Sequence, residues 1–340
     1  MVRYETRENR HHLWVYRVSG SKRIPHGHRL KGYLFDETFW CIQTCIQDAS
    51  NRHAILNLHV HDQDLSGLRW ESSWSHNVPM RSRTLLYLLV WEVISGMAYA
   101  QNMIHIPAGP FTMGSNKGSD DERPEHTVFL GAFEIDRLQV TNADFANFLQ
   151  RHGAADQQGR RFYDWDDNDA RIHRVGEFWR ADPGFEDHPV IEVSWWGAVT
   201  YCKSLDKRLP TEAEWEKAAR GSDARPYPWG DSPPSDVRAQ YGKGWNQTAP
   251  VTAHAAHASP YGVVGMAGNA WHWVSSAYLP YPYRQDDGRE DLTQGPVRVT
   301  RGGGHDSNAE FLRTTERGRR LSRAPAAGHH NIGFRCAKSA

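Results

Sequence analysis

The sequence predicts an α+β fold with little regular secondary structure, and three observations carry that expectation. Short, well-capped amphipathic stretches occur three times in 340 residues. The segments between them are punctuated by glycine and proline and hold only brief apolar runs. Fourteen tryptophans and 29 glycines suit a loop-rich fold stitched by aromatic packing better than a helical bundle. The 40 basic and 40 acidic residues cancel, so no nucleic acid or anionic membrane is expected as a partner recognised by bulk charge.

Composition shifts near Met80. Residues 1–79 hold eight of the 19 histidines, show neither helical nor strand periodicity for long, and have FWCIQTCI as their one dense apolar patch. His59 and His61, in HVHD, have the look of metal ligands. Upstream sequence translated from a misassigned start, non-native or disordered, accounts for the segment better, with a small N-terminal domain as the alternative. From Met80 the chain reads MRSRTLLYLLVWEVISGMAYAQ, with basic Arg81 and Arg83, an apolar run from Leu85 to Trp91, and small residues ending in Ala98-Tyr99-Ala100. That succession predicts a signal peptide over 80–100, cleaved before Gln101. The expected location is periplasmic or secreted, with no stable membrane span after cleavage, because the apolar run is too short for a bilayer.

Of four cysteines, Cys41 and Cys45 precede Met80, which leaves Cys202 and Cys336 in the mature portion. In an oxidising compartment two such cysteines pair, for on the order of 4 kcal/mol; in a reducing one they are two buried thiols. VTNADFANFLQRHG predicts a helix with Thr141 as N-cap, Phe145, Phe148 and Leu149 on one face, and Gly153 as the stop. SWWGAVTYCKSLDKR repeats the pattern with Ser194 as N-cap. LPTEAEWEKAARG adds a capping box, Thr211 with Glu214, and ends at Gly221. PVRVTRGG and NIGFRCA suit strands. Residues 101–340 thus make one domain of roughly 240 residues.

Nine blocks in order carry a resemblance: IPAGPFTMGS, ERPEHTV, VTNADFANF, PVIEVSWWGAVTYC, KRLPTEAEWEKAARG, YPWGD, GMAGNAWHWV, RVTRGGG and NIGFRCA. Together they resemble the formylglycine-generating enzyme family, or sulfatase-modifying factor domain, from Met103 to Ala337. The resemblance implies a C-type-lectin-like fold and a disulfide between Cys202 and Cys336. It also places the family's two copper-binding catalytic cysteines at Ser307 and Leu312. Cu(I) requires two soft thiolates, which a hydroxyl and an isobutyl group cannot replace, so copper-dependent oxidation is not expected.

The family's Ca²⁺ segment, D-M-x-G-N-x-W-E-W, reads GMAGNAWHW here. Gly265 and His272 take its two side-chain positions, while Gly268 and Ala270 can still present carbonyls; the Ca²⁺ set is degraded. Asn269 and Trp271 suit packing and turn geometry. His272 and His305, with Asp306 or Glu310, would form a Zn, Cu or Fe site if brought together. Leu312, Arg313 and Arg317 match the L-R-x-x-x-R pattern of noncatalytic members. These arginines and Arg335 either brace carbonyls and carboxylates or, with His305 and Trp271, line a cleft for a peptide or small anionic ligand. His254, His257, His329 and His330 suit solvated loops. His305, Asp306 and Ser307 are consecutive, which a strand would turn to opposite faces, against a nucleophilic triad. Three function classes stand: a noncatalytic binding or accessory module, an oxidoreductase with other machinery, and a sulfatase-activating oxidase, against which Ser307 and Leu312 argue. The family's ergothioneine-pathway iron enzymes take ligands from an added helical domain, and no H-x-x-x-H-x-E pattern occurs here.

Overall fold

The computed structural model describes residues 103–293, 297–318, 325–326 and 328–340, together with the backbone of five strands before residue 74. The chain divides into two units, Met1–Met97 and Ala98–Ala340.

The first unit is an antiparallel sheet in sequential order, β1 (Val2–Glu5), β2 (His11–Val18), β3 (Phe39–Gln47), β4 (His53–His61) and β5 (Arg69–Ser73). Strands β3 and β4 pair without a break from Phe39↔His61 to Gln47↔His53. The strands correct the reading of residues 1–79 as lacking strand periodicity. Within HAILNLHVH the stretch LNLHVH, from Leu56 to His61, alternates apolar and polar residues with a period of two, and its histidines drew notice as ligands instead. His59 and His61 lie at the end of β4. The expected signal segment, 80–100, lies outside the described residues. No helix among the described residues is long and apolar enough to cross a membrane.

In the second unit the three expected helices form where their caps stand. Thr141 accepts the Asp144 N–H to start α1 (Asn142–His152), Ser194 accepts from Gly197 to start α2 (Trp195–Ser204), and a Thr211–Glu214 capping box starts α3 (Glu212–Arg220). Short strands surround them. Strand β6 (Met103–Ile106) and the last strand, β15 (Ala337–Ser339), flank β9 (Phe133–Asp136), while β7 (Gly109–Met113) pairs with β8 (His126–Leu130). Ile172–Val175 and Phe178–Ala181 form the β10–β11 hairpin. At the centre β12 (Trp271–Ala277), buried along its whole length, lies between antiparallel β13 (Arg298–Arg301) and parallel β14 (Ile332–Phe334).

Two apolar clusters pack on this sheet. One joins α1 and α2 through Phe145, Phe148, Trp195, Trp273 and Phe334; the other joins the β6–β9 strands to α3 through Phe111, Met113, Trp215 and Val299. Cys202 of α2 and Cys336 after β14 are disulfide-bonded in the first cluster, with Cα atoms 5.6 Å apart.

Candidate functional site

The loop after β13 and the loop before β14 meet beside Trp271. Two glycines make the approach possible. Gly303 has φ of 78°, and a Cβ there would lie 2.7 Å from the Leu312 side chain; one on Gly304 would lie 3.1 Å from Trp271 and from Asp306. Backbone hydrogen bonds dock the 242–243 segment onto the same loop, Gly242 N–H to Ser307 O and Lys243 N–H to His305 O.

Ser307 closes a turn, its hydroxyl accepting the Gly304 N–H at 2.9 Å. Leu312 is fully buried with Ala239 and Ala267, with Tyr227, Trp229 and Tyr241 packed against them. This pair offers a hydroxyl engaged in a turn and an aliphatic side chain in an apolar pocket, which does not fit copper.

His305 is fully buried. Its Nδ1 lies 3.1 Å from the Asn269 carbonyl, which can only accept, so Nδ1 carries the proton and Nε2 presents a lone pair. That Nε2 has no hydrogen-bond partner, and burial holds the ring's pKa low. Asp306 accepts from His330 Nε2 at 3.0 Å and Asn331 Nδ2 at 3.1 Å. Burial opposes its ionisation, but these hydrogen bonds prevail and bring its pKa to about 2. Trp271 Nε1 and Asn331 Oδ1 are also buried without partners. His330 belongs to this group rather than to a solvated loop: it stacks on Trp245 at 3.7 Å between ring centroids, only 17% of its side chain exposed. A turn, not a strand, carries His305 to Ser307.

The arginines stand elsewhere. Arg317 is buried and bonded to Glu212 through Nε (2.7 Å) and Nη2 (3.1 Å) and to the carbonyls of Asp121 and Leu279. Arg301 bonds Glu216 and three consecutive carbonyls, Thr314 to Glu316. Arg313 reaches both Glu122 oxygens, at 2.8 and 3.1 Å, and Glu316. The expectation of Arg313 and Arg317 as anion-binding cleft residues is therefore corrected: buried carboxylates nearby take their donors. Arg335 is likewise committed, bracing the carbonyls of Asp136, Arg137, Val264 and Gly265.

His272 is corrected as a metal ligand. Trp215 Nε1 donates to its Nδ1 at 3.1 Å, and Gln139 Nε2 and Arg335 Nη2 lie 2.9 and 3.3 Å from its Nε2. Burial and the Arg335 charge hold its pKa well below the usual value. The Ala270 carbonyl already accepts from Gln139, and a second cation beside Arg335 would be repelled, so the Gly268, Ala270 and His272 set does not fit Ca²⁺. Glu310 is exposed. Asn269 holds a turn, at φ of 67°, exchanging hydrogen bonds with the Ala249 backbone.

One cluster escaped the sequence reading. Asp167, Asp169 and Glu192 bring carboxylate oxygens within 4.8 Å of one another. Glu192 is 3% exposed and sits at φ of 58°, a left-handed backbone held by Glu192 N–H to His329 O and Asp164 N–H to Glu192 O. Burial, then Asp167, Asp164 and Asp169, push its pKa up to about 8. Asp169 accepts from Trp245 Nε1 at 2.6 Å and from Asn246, so Trp245 links this cluster to His330. The signal was YDWDDNDAR, four aspartates and an asparagine in six residues.

A formylglycine-generating-enzyme fold whose two cysteine positions carry serine and leucine is the class these features define. The chain matches the sulfatase-modifying factor enzyme 1-like domain over residues 94–340, and it belongs to that family. It is 33% identical over 292 residues to the formylglycine-generating enzyme of Streptomyces coelicolor, covering 70% of this chain and 90% of that one. It is 36% identical over 243 residues to the serine/threonine-protein kinase Pkn1 of Chlamydia caviae, covering 69% of this chain and 38% of that protein, so it spans well under half of that relative. Among solved structures, PvdO of Pseudomonas aeruginosa is similar in fold, with TM-score 0.53, 23% identity, and coverage of 70% of this chain and 94% of that one.

Proposed function

We propose that this chain is an exported formylglycine-generating-enzyme-like protein that lacks the copper-dependent oxidase activity and serves as a ligand-binding or accessory protein in maturation. The observation that carries the first half is Leu312, fully buried in an apolar cluster at a position where the oxidase chemistry needs a thiolate. The second half is supported by the polar group around Gly304. Trp271 Nε1 is an unpaired donor, while His305 Nε2 and Asn331 Oδ1 are unpaired acceptors, and such buried atoms call for a partner. With the arginines committed and carboxylates prominent, a peptide, which offers both N–H and C=O groups, suits the site better than a small anion.

A peptide bearing the sulfatase cysteine motif, incubated with the protein, copper and oxygen, keeps its mass under this reading. Aldehyde formed faster than with free copper overturns it. N-terminal sequencing of the protein recovered from the periplasm or medium tests export, with Gln101 as the expected first residue. The second reading, an oxidoreductase with a histidine-based metal site, is favoured by the unpaired lone pair of His305. Transition metal bound by the purified protein and released by His305→Ala would establish it.

A further inference from the structure

We infer that Asp167, Asp169 and Glu192 bind a hard divalent cation, Ca²⁺ by its fit, at a place distinct from the degraded Gly268, Ala270 and His272 set. The inference stands whether or not the chain is an oxidase.

The first support is geometry. One oxygen from each carboxylate lies within 4.8 Å of the others. Calcium–oxygen bonds of about 2.3–2.6 Å let ligand oxygens lie up to about 5 Å apart across the ion. An all-oxygen set of this kind also suits a hard cation rather than copper or zinc.

The second, independent support is Glu192. Its side chain is almost wholly buried, no hydrogen bond satisfies its carboxylate among the described residues, and it points at two further carboxylates. A buried carboxylate without a donor is costly, and here the nearby arginines do not relieve it. Arg161 is engaged with Asp166 at 2.6 Å, and Arg171 lies 3.5 Å from Asp182. A third unsatisfied oxygen sits at the same place, since Asn246 Oδ1 is buried without a partner while its amide nitrogen bonds Asp169.

The surroundings are already organised. The Asp169 N–H donates to Asp167 Oδ1 at 2.9 Å, folding the loop so that both carboxylates face one way. The Tyr163 hydroxyl accepts from the Arg171 and Ile172 N–H groups and ties down the far end of that loop. A cation here joins the Asp167–Asp169 loop to Glu192 on the segment before α2. Through Asp169 and Trp245 it also sets the position of His330 beside Asp306.

The experiment uses the full chain stripped with a chelator and titrated with Tb³⁺ under tryptophan excitation, because the Trp245 indole touches Asp169. Saturable sensitised emission, displaced by Ca²⁺, is expected. Glu192→Gln and Asp167→Asn should each weaken binding at least tenfold, while Asp231→Asn, an exposed carboxylate elsewhere, leaves it unchanged. Circular dichroism checks that each variant is folded; Asp167 is exposed, so its substitution keeps the test open if Glu192→Gln misfolds. Absence of saturable emission, or equal affinity in the Asp167→Asn and Asp231→Asn proteins, overturns the inference.

Discussion

Two of the places where the described residues gather charge differ in their terms. In one, Arg301, Arg317 and Arg220 meet Glu212 and Glu216 at close range and further donors go to backbone carbonyls, with only the Nε of Arg220 and of Arg301 left without a partner. In the other, Asp167, Asp169 and Glu192 converge with no ion pair to a cationic side chain among the described residues, and His305, Trp271 and Asn331 keep unpaired polar atoms. The first set resembles a fastener for a fold poor in secondary structure. The second is the set on which the proposed cation and peptide sites rest. Buried charge alone does not mark function; buried charge left uncompensated does.

The sharpest way to break this comparison is to remove one member of the paired set. Arg301→Ala removes one of the two arginines paired with the fully buried Glu216, leaving Arg220 on its other oxygen, and also orphans the Thr314–Glu316 carbonyls. A loss of about 3–5 kcal/mol in unfolding free energy is expected by urea denaturation. A loss below about 1 kcal/mol would mean that the network contributes little and that the contrast between the two regions is mistaken.

Asp306 should give a smaller effect that depends on pH. Its folded pKa, about 2, lies below the unfolded carboxylate value of about 3.9. The stability it contributes is present above pH 4 and fades as pH falls through 2. About 1–2 kcal/mol is expected, since a quarter of the side chain is exposed. Asp306→Asn should cost that amount at pH 7 and nearly nothing at pH 2, read from unfolding at each pH.

These regions were unequally legible in the sequence. The helices were readable because their signals are local: Thr141, Ser194 and Thr211 sit a few residues from the N–H groups they cap. The strands around RVTRGGG and NIGFRCA were readable as short apolar runs bounded by glycine; Ser307 and Leu312 acquired meaning only because the family resemblance put its cysteine positions there, after which ligand chemistry gives the consequence. The partners of Arg313 and Arg317 were not readable, because Glu122 and Glu212 lie 191 and 105 residues away. His330 passed for a solvated loop residue because nothing near it in the chain shows Trp245 lying on its ring. Glu192 was hidden in an apolar run, VIEVSW, whose alternation says nothing of the left-handed backbone that turns its side chain toward Asp167 and Asp169. Local chemistry is written in neighbouring residues; a site assembled from distant loops is not.

The last expected effect, small at acid pH and growing as pH rises, is the most informative about the second region. Burial and the neighbouring aspartates raise the folded pKa of Glu192 to about 8, against about 4.3 in the unfolded chain. Between those values the folded state holds a proton that the unfolded state has lost, so this residue's contribution to stability falls as pH rises and is lowest above pH 8. At pH 4, without a divalent cation, Glu192→Gln mimics the carboxyl that is protonated in both states and should change the unfolding free energy by no more than about 0.5 kcal/mol; at pH 7 it should already stabilise the protein, because the unfolded wild type is then ionised and the variant is not. At pH 9 the substitution should stabilise the protein, because Gln carries no charge to repel Asp167 and Asp169. Saturating Ca²⁺ should reverse the sign at pH 9, making the wild type the more stable protein, since the ion then compensates the charge that the substitution removes. Melting temperatures of the two proteins at pH 4, 7 and 9, with and without Ca²⁺, decide it. A wild type that outlasts Glu192→Gln at pH 9 in chelator would show that this carboxylate is already compensated within the fold, as the buried carboxylates beside Arg301 are.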